Sequence, residues 1–288
     1  MYIIIFLILV ILSIILLPLI SNYKEKYVFP APSLDFRKIP RNIFITADFK
    51  RKNLPEIIKH QFDKIIKNNP DYTLNYYSDE EARDFIKEFY PEFLEDYDSI
   101  IPGAYKADLW RYLVLYEYGG VYMDIGHMPL LPLTGNVIND SDEFISCIEF
   151  NDLGIHNSFI CVYPKHPILR KTIEITVENI RHRKYGINSV DITGPTTFQR
   201  GYNKHFDTDE LARIPEGTFV ISDYKVKFFF HEYNDSDRYE SYIVDRTRKN
   251  LRIIKTKFED YEKVMYTDRG KKKYHDLWRD REVYKNNK

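Results

Sequence analysis

Cysteine is scarce in this chain of 288 residues, and the two that occur, Cys147 and Cys161, sit in apolar contexts without metal-ligand spacing. A cysteine-held metal centre is therefore excluded, and the redox compartment stays open. An excess of either charge is also lacking, since 42 Lys+Arg face 43 Asp+Glu. Without a basic field the chain has no means of gathering nucleic acid, and no nucleic-acid partner is expected. No internal repeat is visible. With 44% hydrophobic and 30% charged residues, both wholesale disorder and a polytopic membrane protein are excluded. Long apolar runs are absent but for one, at the start.

That run, Tyr2 to Ile20, is apolar or aromatic except for Ser13 and Pro18. As a helix it would rise about 30 Å, the thickness of a bilayer core. Met1 supplies no basic leader and Ser21-Asn22-Tyr23 no small-residue cleavage site, so a retained single-pass anchor is expected over 2–20 rather than a cleaved signal. Orientation is ambiguous. Lys24 and Lys26 after the span favour a cytosolic domain, whereas the sequons at Asn139 and Asn234 would matter only in a lumen. Pro30, Pro32 and Pro40 mark residues 21–38 as an extended stem, which places the start of one domain at residue 39 and its end at 288.

Within that domain, strand-like and helix-like segments alternate. Arg41 to Thr46 reads as a strand, and Pro55 to Lys67 as a helix with Ile58, Phe62 and Ile65 on one face. Thr73 to Tyr77 reads as a second strand, followed by a capping box from Ser78 to Glu81 and a helix to Phe89. Ala104 to Tyr118 is helical in spacing, Gly119-Gly120 stops it, and Val121 to Asp124 forms a short strand. Further strands are expected at Phe144 to Phe150 and Ser158 to Tyr163, and a helix at Ile168 to Arg183, after which periodicity weakens. The class is α/β, and in such folds ligands bind beyond the carboxyl ends of the strands, where Asp124 falls. Aromatic residues reach 16%, with 24 Tyr, a supply that fills cores, reflects coding bias, or stacks on sugar rings and bases.

Three polar residues interrupt an apolar pattern between Ala104 and Gly126. Asp108 and Arg111 are three apart and share a helix face, and the Gly-Gly turn lets the next strand bring Asp124 beside them. An isolated pair of this kind is ordinarily a solvated ion pair worth a few tenths of a kcal/mol. In ordered combination the three offer a guanidinium to phosphate oxygens, and carboxylates to hydroxyls or a divalent cation, the equipment for transfer from a nucleotide sugar.

The run Lys106-Ala107-Asp108-Leu109-Trp110-Arg111-Tyr112 through Gly119-Gly120-Val121-Tyr122-Met123-Asp124 resembles the DxD sugar-binding region of glycosyltransferase family 32. That family includes fungal initiating mannosyltransferases and capsular polysaccharide glycosyltransferases, and the catalytic domains of large clostridial toxins are related to it. Weaker matches lie at Ile39-Pro40-Arg41-Asn42-Ile43, Ser78-Asp79-Glu80-Glu81-Ala82 and Thr193-Gly194-Pro195. The resemblance implies a GT-A-like (Rossmann-like) domain, a lumenal orientation for it, a nucleotide-sugar donor, manganese as the divalent cation, retention of anomeric configuration, and a glycan, lipid or protein acceptor. It implies that Asp108 and Arg111 contact donor sugar and phosphate, that Tyr122 lines the nucleotide pocket, and that Asp124 is the first motif carboxylate and a metal ligand.

The family's second Asp, two residues on, is Gly126 here. Residues two apart on an extended strand face one side, so position 126 is expected to face the pocket of Asp124, and Gly126→Asp to restore metal binding. Its loss leaves weak or water-mediated metal, substitution by His127, or a degenerate module that binds without transferring. By looser resemblance Asn157 bonds the sugar, His275 is a distal metal ligand, and Trp278 is a stacking lid.

Overall fold

The first strand, β1 (Asn42–Thr46), consists of β-branched and aromatic residues apart from Asn42 and is buried throughout. Its two faces do different work. Ile43 and Ile45 join a core with Ile58, Phe62 and Ile65 of α1 (Glu56–Asn68), whereas Phe44 stacks on Tyr118, at the end of a later helix. Alternation at a period of two thus builds a helix layer on each side of the sheet. The computed structural model describes residues 38–149, 154–209, 212–234 and 236–285. The expected anchor at 2–20 and stem at 21–38, apart from Lys38, lie outside them; among the described residues no helix is long and apolar enough to cross a membrane.

The chain continues through β2 (Thr73–Tyr77), α2 (Asp79–Phe89), α3 (Leu94–Ser99), α4 (Gly103–Tyr118) and β3 (Gly120–Met123). Ser78 and Glu81 form the capping box at the start of α2, each side chain accepting from the other's backbone N–H. β2 runs parallel to β1 on one side, from Asn42↔Thr73 to Thr46↔Tyr77, and β3 runs parallel on the other, Phe44 opposite Tyr122. Winding therefore reverses direction at β1, which makes the gap between the carboxyl ends of β1 and β3 a topological switch point.

After β3 the pattern changes. β4 (Met128–Pro129), β5 (Phe144–Ile148), β6 (Ile155–Val162), α5 (Pro167–Arg181) and α6 (Pro195–His205) are followed by β7 (Gly217–Ile221), β8 (Tyr224–Glu232), β9 (Tyr242–Asp245), β10 (Leu251–Lys255), α7 (Tyr261–Met265) and α8 (Tyr274–Arg279). The ten strands form one sheet, ordered β2-β1-β3-β6-β5-β8-β9-β10-β4 with β7 also on β8. Beyond β3 only the β5–β8 pair is parallel. The expected α/β class holds as a mixed α/β domain, and strict strand–helix alternation is confined to its first three strands. The two cysteines are free and buried, on β5 and β6.

Candidate functional site at the carboxyl ends of β1 and β3

The Gly-Gly turn fixes the site. Gly119 has φ +62 and a Cβ there would lie 2.6 Å from Pro164, while Gly120 has φ +104 and a Cβ would lie 2.7 Å from the Asn42 carbonyl. Only glycine meets both demands, so α4 stops and β3 is laid directly between β1 and β6. α4 itself is buried nearly all round, Asp108 and Arg111 included.

These two residues and Asp124 come together as the spacing predicts. Arg111 Nη2 lies 3.2 Å from Asp108 Oδ1 and 3.4 Å from Asp124 Oδ1, and Nη1 donates to the Asn157 carbonyl at 2.7 Å. The guanidinium sits 4.3 Å from the Tyr122 ring centroid, and the Tyr122 hydroxyl donates to Asp124 Oδ1 at 2.7 Å. Asp108 is held from behind by the Asn157 amide at 2.8 Å and the Thr193 hydroxyl at 2.7 Å. Asn157 also donates to the Tyr112 hydroxyl, which in turn donates to the Thr193 carbonyl. Burial pushes the Asp108 carboxyl above its ordinary range, opposed by the Arg111 charge and the donated hydrogen bonds. Burial likewise works against the Arg111 charge, but Tyr122, Asp124 and Asp108 outweigh it and hold the guanidinium charged. The bland reading of a solvated ion pair therefore fails at Arg111 and Asp108, whose side chains are 6% and 10% exposed, while Asp124 at 36% is the open member.

In front of this network lies a cavity of about 540 Å³. Thr46, Ala47 and Asp48 at the end of β1, and Arg111, Tyr122, Asp124 and Ile125, line one wall. The opposite wall comes from the C-terminal region: Lys257, Tyr261, Tyr266, Lys272, Lys273, Tyr274 and His275. Salt bridges from Arg269 and Lys271 to Asp48 fasten that wall to β1. A third side carries Glu149, His156 and His231, whose ligating atoms all lie within 4.8 Å of one another. Phenols, cations and carboxylates thus converge on a space of the size of a small-molecule pocket.

Several expectations need correction. Position 126 has no room for a side chain: a Cβ there would lie 2.8 Å from the Thr256 carbonyl and 2.9 Å from the Tyr261 ring. β3 ends at Met123, and 124–127 form a turn closed by His127 N–H on the Asp124 carbonyl at 2.8 Å, so strand alternation no longer applies. Gln61 of α1 pins this turn by donating to the carbonyls of Ile125 and His127. His127 is buried and its Nε2 bonds Ser158 Oγ at 2.8 Å; burial, with His231 and Arg111 adding, pushes its pKa down to about 3. It belongs to no cluster of metal ligands among the described residues. His275 lines the cavity, half-exposed, with Nε2 3.7 Å from Asp276 and its ring edge-on to Tyr274. Trp278 is not among the lining residues, because its indole N–H donates to the Tyr185 carbonyl at 2.7 Å. Asn157 donates its amide N–H groups to Asp108 and Tyr112, behind the cavity. The Glu149–His156–His231 group and the wall from Lys257 to Tyr274 were not foreseen; no local spacing joins residues drawn from four separate segments.

The family model described as glycosyltransferase sugar-binding region containing DXD motif matches residues 55–145, from the start of α1 into β5. The mannosyl phosphorylinositol ceramide synthase SUR1 of Saccharomyces cerevisiae is 32% identical over 151 residues, 50% of this chain and 35% of that protein. Inositol phosphoceramide mannosyltransferase 1 of Schizosaccharomyces pombe is 29% identical over 157 residues, 52% of this chain and 46% of that protein. Among solved structures, the PaToxG glycosyltransferase is similar at TM-score 0.44 and 21% identity, over 59% of this chain and 70% of that one. The match with the curated relatives thus spans less than half of their length. Over residues 55–145 the chain is similar to the glycosyltransferase sugar-binding region containing DXD motif. The resemblance to glycosyltransferase family 32 rests on that region.

Proposed function

We propose that the chain is a GT-A-like glycosyltransferase that moves a hexose or N-acetylhexosamine from a nucleoside-diphosphate donor to a glycan, lipid or protein acceptor, with retention of configuration. The observation that carries this reading is Arg111, a buried guanidinium fixed by Asp108, Asp124 and the Asn157 carbonyl and presented to the cavity at the end of β3. A positive charge already in place costs no reorganisation when the leaving diphosphate gains charge. Lys257 and Lys273 line the opposite wall, both ion-paired with Glu262. Asp124, the exposed carboxylate, is suited to sugar or ribose hydroxyls, and Tyr122 holds it by a hydrogen bond. A divalent cation, manganese by family resemblance, would neutralise diphosphate charge when bound. Asp124 and Gly126 alone do not supply a chelate for it, since position 126 is filled by Thr256 and Tyr261.

Mannose is the first sugar to test, and an inositol phosphoceramide the first acceptor, because the two fungal relatives above carry those words in their names. The alternative, a degenerate module that binds donor without transferring it, is motivated by the missing second carboxylate. An array of nucleoside-diphosphate sugars, read by release of the diphosphate from the full chain with manganese, separates the two. Turnover is expected with at least one donor, lost in Asp124→Ala and reduced on the order of 10²-fold or more in Arg111→Ala. Saturable donor binding without release in any pairing would make the module the correct reading, and unchanged turnover in Asp124→Ala would remove this site from either.

A further inference from the structure

We propose that Glu149, His156 and His231 form a divalent transition-metal site in the cavity wall, in place of the motif carboxylate that position 126 has no room to carry. The site stands on the geometry of these three side chains; its part in holding a donor diphosphate rests on the glycosyltransferase reading above. His156 Nε2 lies 3.2 Å from Glu149 Oε1, and His231 Nδ1 lies 3.3 Å from Glu149 Oε2. Ligand atoms around a tetrahedral ion with bonds near 2.0–2.1 Å are about 3.3 Å apart; here each histidine faces a different carboxylate oxygen, and the three ligating atoms all lie within 4.8 Å of one another, close enough for one ion to gather them.

Three neighbouring strands bring these side chains together. β5 lies between β6 and β8, with Cys147 opposite His156 on one side and Ile148 opposite Phe230 on the other. Glu149 follows directly at the end of β5, between a histidine from each flanking strand. His156 and His231 sit on strands, which hold ligands more precisely than loops do.

Beyond the three ligands stands a partner of the kind metal-binding histidines use. Ser158 Oγ lies 2.6 Å from His156 Nδ1 and 2.8 Å from His127 Nε2. If His156 Nδ1–H donates to Ser158 and the Ser158 hydroxyl donates to His127 Nε2, the His156 Nε2 lone pair is left facing Glu149 and His231. Such an outer hydrogen bond fixes tautomer and ring orientation. Two neutral imidazoles with one carboxylate carry a single negative charge, and this nitrogen-rich set favours zinc, cobalt or manganese over magnesium or calcium. The same cavity is lined by Asp124 and Arg111, so a cation here would share the space in which donor charge develops. Three protein ligands facing an open cavity leave coordination positions for water or substrate, as catalytic sites require.

The test uses the full chain, stripped with a chelator and titrated with cobalt(II), read by visible ligand-field absorption and by thermal melting. One cobalt ion per chain is expected, with a raised melting temperature. Glu149→Gln and His231→Ala should lose the absorption and the metal-dependent shift, Ser158→Ala should bind cobalt about 10–100-fold more weakly, and Asp124→Asn should keep the spectrum. A melting curve without metal identifies any variant that fails to fold, in which case His231→Asn replaces it. The site is overturned if the wild-type chain takes up neither cobalt, zinc nor manganese stoichiometrically, or if Glu149→Gln and His231→Ala bind as it does. Diphosphate release on the same samples keeps the two claims apart. Cobalt binding without turnover sinks the enzyme and leaves the site standing, whereas turnover without a stoichiometric ion sinks the site alone.

Discussion

A methyl group at position 126 would press on the Thr256 carbonyl and the Tyr261 ring, so the residue that breaks the DXD pattern is fixed by packing. Gly126→Asp should accordingly destabilise the fold by about 1–3 kcal/mol, the usual cost of overpacking, and leave metal affinity no tighter. Denaturant unfolding and cobalt titration of that variant check both; a stable protein that binds metal more tightly would contradict the placement. Asp108 and Arg111 make a related point. Their i, i+3 spacing was legible, but it does not distinguish a solvated pair from a buried one. What decides is the tertiary partners, Asn157 and Thr193, which lie 49 and 85 residues from Asp108 in sequence.

At the scale of elements, local signals worked where they were chemical. The capping box, the Gly-Gly stop, β2 and the buried stripe of α1 all appear where spacing places them. α6 had only Thr193-Gly194-Pro195 to announce it, and its start at Pro195 follows the usual preference for proline in the first turn. β7 to β10 escaped notice because antiparallel strands take their stability from cross-strand pairing, which local composition barely records. One cap carries a pH dependence. His166 opens α5 by accepting the Ile168 N–H at Nδ1, and burial holds its pKa well below the ordinary histidine value. His127 and His156, each pushed down to about 3 chiefly by burial, behave alike. The unfolded chain takes up these protons near pH 6.5 and the folded chain does not. Stability is therefore complete above that pH and falls as pH drops from 6.5 towards 3, by at most about 1.4 kcal/mol per pH unit for each group. His166→Asn keeps a capping side chain, so its unfolding free energy should fall less steeply over the same range; an unchanged slope would show that His166 titrates normally.

Across the whole molecule, the half that holds β1 to β3 was readable and the half that completes the cavity was not. β1, β2, β3 and α4 announce themselves by periodicity and by the motif, and the switch point between β1 and β3 follows from them. The cavity is completed by residues 257–275, whose place is set by long-range contacts such as Arg269 and Lys271 with Asp48. The Glu149–His156–His231 group likewise exists only once β6, β5 and β8 lie side by side. The central claim is that one cavity, floored by Arg111 and Asp124, receives the donor's diphosphate. A structure of the full chain with a nucleoside diphosphate bound tests it most directly. The account predicts the diphosphate within hydrogen-bonding distance of Arg111, beyond the carboxyl ends of β1 and β3; a nucleotide bound elsewhere, with the Arg111–Asp124 pair untouched, would contradict it.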